Sequence, residues 1–208
     1  MTAVDPLHLS YVVVGAGVPQ EAVDAMVGAC ERGARKGGRS RVAVLTAGYE
    51  IEVIATLCSP DALAPFPAPS AELTELGPLL DYLGDLLPHD IRWFAERGTS
   101  VLRPVVHLVV ADADAAPAWW DVRAHLLDAP SAPAVLAYAV VEDAFAACYQ
   151  VSTIAAYRPV SRDDRAVADR IGRGVAESIL AADGAAAHGS LVTAPSDDLL
   201  LRVDRAAD

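Results

Sequence analysis

Cationic side chains are scarce in this chain. Sixteen Lys and Arg face 28 Asp and Glu, a net charge of −12 over 208 residues. Nucleic acid and anionic lipid are gripped mainly through Lys and Arg, so the balance argues against both as partners. The one basic cluster, Arg32, Arg35, Lys36, Arg39 and Arg41, falls where a first helix ends and a second strand begins. Cations there complement the helix dipole. Long apolar runs are missing as well. None approaches the ~20 residues that cross a bilayer, and Met1 to Pro6 lacks the basic region and apolar core of a signal peptide. Cysteine is sparse: Cys30, Cys58 and Cys148 are far apart and form no C-x-x-C pair. That pattern fits reduced thiols in a cytoplasm better than a disulfide frame or a zinc site.

What is present is apolar. Hydrophobic residues make up 53% of the chain, enough to fill the core of one domain of this length. Residues 9–14 are a near-continuous apolar run bounded by glycine, as in a strand buried on both faces. Val23, Met26, Val27, Cys30 and Ala34 follow at helical spacing, with Gly37-Gly38 as the expected stop. "RVAVLTAGYEIEVIATL" reads as an antiparallel hairpin turning at Ala47-Gly48. Residues 58–70 hold four prolines and no period, as a loop does. Leu76, Leu79, Leu80, Leu83 and Leu87 mark a helix that Pro88 is expected to interrupt before a further turn carrying Trp93 and Phe94.

The β-branched run Val105 to Val110 predicts a central strand. A helix over about 117–127, a strand at 134–141 and a short strand near 150–154 follow. A last helix bears Val167, Ile171, Val175 and Ile179 on one stripe, with Ser161 suited to its N-cap. The implied fold is α/β: a three-layer structure with a mostly parallel sheet, one antiparallel edge strand and helices on both faces. The domain spans residues 1–182. Residues 183–208 form a C-terminal extension, read as an added strand, an added helix or a flexible tail.

Function in such sheets gathers at the C-terminal ends of strands. Three segments therefore matter: Gly15 to Pro19, the stretch around Ser70 to Gly77, and Ala111 to Ala116. Gly15-Ala16-Gly17 begins like a dinucleotide loop, but the third glycine position is Gln20, and the second strand runs into a hairpin that misplaces Glu50 for a ribose. Asp112 and Asp114 form a D-x-D of the kind that holds Mg²⁺ or attacks a phosphoryl group. No partner lysine with an acidic pair stands out, and loop acids facing solvent are the better account of the pair. No serine sits in a G-x-S-x-G frame. Trp119 and Trp120 offer a binding anchor or helix-to-sheet packing.

The order of elements, the hairpin after the first helix, "RPVVHLVVADADAAPAWW" and the helix after "VSTIAAYRPVS" together resemble a von Willebrand factor type A domain. The nearest kind is the bacterial one of tellurite-resistance and stress operons. In that family a D-x-S-x-S loop, a threonine from a later loop and a T-D-G aspartate hold Mg²⁺, and a partner's carboxylate completes the shell. The resemblance places the D-x-S-x-S positions on Val14, Ala16 and Val18, or on Gly15, Gly17 and Pro19. It places the loop threonine on Thr74 and the aspartate on Ala111 or Asp112. Neither register of the first loop supplies an oxygen side chain.

The resemblance thus implies a non-enzymatic scaffold with no cofactor and no bound metal, taking another protein, with neither nucleic acid nor membrane as partner. The expected contact face is Gly15, Ala16, Gly17, Val18, Thr74, Asp112 and Trp119. Two alternatives stand beside it: a metal-dependent phosphohydrolase using Asp112 and Asp114, and a homo-oligomeric structural protein.

Overall fold

The run His8–Gly15 forms a strand, β1, in which all eight residues are buried. The computed structural model describes residues 6–70, 74–113, 123–124, 126–127, 132–184, 191 and 193–205. Around β1 it assembles β2 (Ser40–Ala47), β3 (Ile51–Cys58), β4 (Val105–Val110), β5 (Ala134–Ala139), β6 (Ala155–Pro159) and β7 (Leu200–Asp204). Helices α1 (Gln20–Gly33), α2 (Leu76–Ala95), α3 (Phe145–Val151) and α4 (Asp164–Gly184) connect or cover them. The sheet runs β3-β2-β1-β4-β5-β6-β7. Strands β2, β1, β4, β5 and β6 pair in parallel, while β3 and β7 pair antiparallel at the two edges.

Alternation along β1 splits the core in two. Val12 and Val14 face α1 and α4, packing with Val23, Met26, Ile171 and Val175. Leu9, Tyr11 and Val13 face α2, packing with Leu45, Leu79, Leu83 and Leu108. Each large aliphatic side chain removed from water stabilises the fold by about 1.5–3 kcal/mol, which is why the central run carries no polar interruption after Ser10. Helices α1 and α4 cross so closely that a Cβ on Gly172 would lie 2.1 Å from the Ala22 carbonyl oxygen.

Several local expectations give way to packing or capping. Pro88 does not break α2, which runs unbroken to Ala95. The proline removes one helical hydrogen bond, but the apolar stripe continues through it from Leu83 and Leu87 to Ile91 and Phe94, and the Tyr11 hydroxyl donates to Asp90 Oδ2 at 2.9 Å beyond it. Helix α1 stops at Gly33, where the Ala34 amide closes the last turn onto Cys30; Gly37, at φ +78°, serves the following turn. The strand expected near 150–154 lies at Ala155–Pro159, because α3 occupies 145–151. Asp163, not Ser161, caps α4: its Oδ1 accepts from the Ala166 amide at 3.0 Å. The expected single antiparallel edge becomes two, since part of the C-terminal extension forms β7 beside β6. Tyr157 donates to the Ala194 carbonyl at 2.9 Å, and Arg170 pairs with Asp197, holding that extension against the sheet. The helix expected over 117–127 falls mostly outside the described residues.

His107 sits in the middle of β4 and is fully buried. Its Nδ1 lies 3.5 Å from the Tyr138 hydroxyl, and Tyr138 in turn stacks on Tyr157 with centroids 4.6 Å apart. Burial pulls the imidazole down to about 3 from its ordinary 6.5, because a charge there would be stripped of water. The folded chain therefore keeps His107 neutral where the unfolded chain protonates it. The contribution to stability is full above about pH 6.5 and is lost as pH falls toward 3, at up to about 1.4 kcal/mol per pH unit. Urea unfolding at pH 7 and pH 4.5 should show a smaller loss for His107→Phe than for the natural chain. Equal losses would assign the slope to other groups.

Candidate functional site

The C-terminal ends of β1 and β4 and the residues leading into α2 converge at one end of the sheet. β1 closes on Gly15, and Gly17, at φ +71°, turns the chain so that Val18 tucks back into the core and α1 starts at Gln20. Thr74 arrives just before α2 and bridges in parallel to Ala113, its amide donating to the Asp112 carbonyl at 3.2 Å. The Thr74 Oγ1 accepts from the Ala16 amide at 2.7 Å. This bond needs glycine beside it: a Cβ on Gly15 would stand 2.6 Å from that same Oγ1 and 3.1 Å from the Val109 carbonyl oxygen. The three segments are thus joined through main-chain groups and one threonine hydroxyl.

The structure brings Gly15, Ala16, Gly17, Val18, Thr74 and Asp112 together but gives them unequal access to solvent. Gly15, Ala16, Val18 and Thr74 are buried, whereas Gly17 and Asp112 are exposed. Trp119 and Asp114 lie outside the described residues. Thr74 and Asp112 are the two of the six that carry oxygen side chains, and the first has its hydroxyl engaged. A Mg²⁺ ion asks for about six oxygens in near-octahedral array, so this donor set does not fit one. Among the described residues no group of three His, Cys, Asp or Glu side chains is placed to hold a metal ion.

Two residues at this end matter in ways the sequence did not signal. Gln20, noted in the sequence only as the residue in place of a third glycine, clamps the following loop. Its Nε2 donates to the Phe66 carbonyl at 3.0 Å, and its Oε1 accepts from the Ala68 amide at 2.8 Å. Phe66 is thereby seated in the core beside α1. Tyr49, at the tip of the β2–β3 turn, is 80% exposed. It lines a groove of about 500 Å³ with Glu50, Glu52, Ile54 and residues 67–70. A tyrosine at a hairpin tip has no periodic signature, so only the fold reveals its position.

The closure at Gly15 is testable as a coupled pair. Thr74→Val leaves the buried Ala16 amide without its acceptor and should cost about 1–3 kcal/mol. Gly15→Ala overpacks the same spot and should also cost about 1–3 kcal/mol. In a Thr74→Ala background the closest clash disappears, so Gly15→Ala should cost measurably less there. Denaturant titration of the cycle checks this, and strict additivity would mean that the two residues do not meet.

No protein-family model matches the chain, and no characterised protein matches it in sequence. Its fold does match solved structures. A von Willebrand factor type A protein from Catenulispora acidiphila superposes with a TM-score of 0.58 at 12% identity, over 84% of this chain and 43% of that one. Proximal thread matrix protein 1 from the mussel byssus superposes at 0.54 and 12% identity, over 85% and 48% respectively. A form of the mussel protein described as having a zinc-occupied MIDAS motif gives 0.50 at 12% identity, over 83% and 48%. This chain spans less than half the length of each. The likeness establishes a von Willebrand A-like fold.

Proposed function

We propose, from the von Willebrand A-like fold, that this chain is a non-enzymatic protein-binding module whose strand-end face takes another protein without a bridging cation. The observation that carries the reading is the Thr74 hydroxyl, bonded to the Ala16 amide at 2.7 Å. The sequence resemblance assigns that hydroxyl to a metal. Here it braces the first loop instead, and the loop itself offers valine, alanine, glycine and proline where acid and hydroxyls would be needed. In this reading the metal site is degenerate, and the surface around it persists.

That surface has an anchor and a charge. Tyr49 stands out from the face, and tyrosine is enriched among residues that dominate binding energy. Asp112 is exposed beside the first loop, and the whole chain carries −12, so a partner presenting basic groups meets complementary potential. Gly17 lets a partner's backbone approach closely. The resemblance directs the search for that partner to cytoplasmic stress-response systems of the bacterial tellurite-resistance type. The phosphohydrolase alternative needs Asp112 and Asp114 together; Asp112 is exposed, and Asp114 lies outside the described residues.

Two measurements test the proposal. Millimolar Mg²⁺ or Ca²⁺ should leave the melting temperature unchanged; a saturable rise would show native-state binding by mass action and would sink the metal-free reading. A photo-crosslinking residue at position 49 should capture a discrete partner in native-host extract, while the same probe at Arg173 on α4 should not. With that partner purified, Tyr49→Ala should weaken binding by roughly tenfold or more with no change in melting temperature. Unchanged affinity would place the partner elsewhere.

A further inference from the structure

The two faces of the sheet are covered unequally at the β2–β3 edge. On the α1 side the loop after β3 closes over the edge, burying Leu63 and Phe66. On the α2 side a cavity of about 670 Å³ lies between these strands and the later turns of α2. Arg41, Leu45 and Val53 line it from the sheet, and Tyr82, Leu86 and Trp93 from the helix. Along α2 the residues Tyr82, Leu86 and Trp93 form a second apolar stripe beside the core stripe of Leu79, Leu83 and Leu87. Val53, Tyr82 and Trp93 remain 45%, 36% and 44% exposed, a concentration of apolar surface beyond what scattered residues give. The volume lies in the range of small-molecule sites, about 300–1,000 Å³.

The strand edge itself is a poor template for another strand. Two register shifts break the β2–β3 ladder, between Val42 and Val44 and between Val44 and Leu45, and such bulges blunt an edge against further pairing. The cavity's charges then decide what fits inside it. Asp90 is satisfied: its Oδ2 accepts from the Tyr11 hydroxyl at 2.9 Å, and its Oδ1 lies 3.3 Å from His89 Nδ1. Arg41 is only partly so. Its Nη1 donates to the Gly38 and Ser40 carbonyls at 3.0 and 2.7 Å. Its Nε and Nη2 have no partner among the described residues, and none of the ion pairs among those residues includes it. Among the described residues Arg41 is the one Lys or Arg that lines this cavity.

We propose that this cavity binds a small amphipathic carboxylate, its apolar tail against Tyr82, Leu86 and Trp93 and its head on Nε and Nη2 of Arg41. Guanidinium presents those two donors in the fork that a carboxylate accepts. The Arg97 guanidinium, 3.9 Å from the centroid of the Trp93 ring, fixes the orientation of that wall. Arg41 lies at the start of β2 and Gly15 at the end of β1, so the site is separate from the proposed partner face and stands or falls without it.

Isothermal titration of the full chain with dodecanoate, below its micelle-forming concentration, tests the proposal beside dodecanol, dodecyltrimethylammonium, 2-naphthoate and 2-naphthalenemethanol. One carboxylate should bind saturably near 1:1 and roughly tenfold or more tighter than its uncharged analogue, with the ammonium weaker still. Which of the two carboxylates binds better identifies the tail as aliphatic or aromatic. Arg41→Gln should reduce the better carboxylate to the affinity of its own alcohol and leave that alcohol unchanged, while Arg41→Lys retains part of the preference. Equal binding of the better carboxylate and its own alcohol, dodecanol or 2-naphthalenemethanol, by the natural chain would overturn the proposal whether or not the variants fold. So would full carboxylate affinity in a folded Arg41→Gln variant, or no binding by either carboxylate.

Discussion

The burial of β1 along its whole length is the constraint on which the other elements depend. It pairs in parallel with β2 on one side and β4 on the other, and its side chains enter both cores. A polar residue anywhere from Tyr11 to Val14 would leave an unpaired group in one core or the other, at a cost of about 1–3 kcal/mol. The strand also sets the height at which its neighbours end: Gly15 pairs with Ala47 of β2, and Val14 with Val109 of β4. The strand-end face is level because the register is fixed below it.

That logic separates what the residues alone made legible from what they did not. β1, β2, β3, β4 and β5 and the helical stripes of α1, α2 and α4 could be read from periodicity and order, because each depends on local pattern; the placing of Thr74 and Asp112 beside the first loop came from the family resemblance. Pro88 was misleading for a physical reason. One lost helical hydrogen bond is weighed against five buried leucines before it and a Tyr11–Asp90 bond after it, and the tertiary terms win. The cap of α4 lies two residues past the expected Ser161, because Ser161 and Asp163 are both capping types and only geometry selects between them. β7 was ambiguous because a five-residue strand at an edge carries little period of its own; its partner β6 lies more than forty residues back in sequence.

The first loop shows why residue type read without geometry gives half an answer. The absence of acid and hydroxyl at Val14 to Pro19 is plain in the sequence. What replaces them is not: Gly15 is required by the approach of Thr74, and Ala16 contributes an amide. Small residues alone would leave such a loop loose. This one is held by a buried hydrogen bond to Thr74, by Val18 packed in the core, and by the Gln20 clamp on residues 66–68.

Such rigidity bears on how a face of this kind could bind. Association costs the ordering of whatever is mobile at the contact, so a loop already fixed loses less on docking. In a cation-bridged face, the ion supplies both the ordering and much of the attraction. In this chain the proposed face obtains its order from the Thr74 and Gln20 hydrogen bonds made on folding, and its attraction must come from exposed groups such as Tyr49 and Asp112. Affinity should then track side-chain contacts and ionic strength, since exposed charges are screened over about 8–10 Å at physiological salt. A cation-bridged partner would track divalent metal instead. The two modes differ in what they are sensitive to, even where the same end of the same sheet is used.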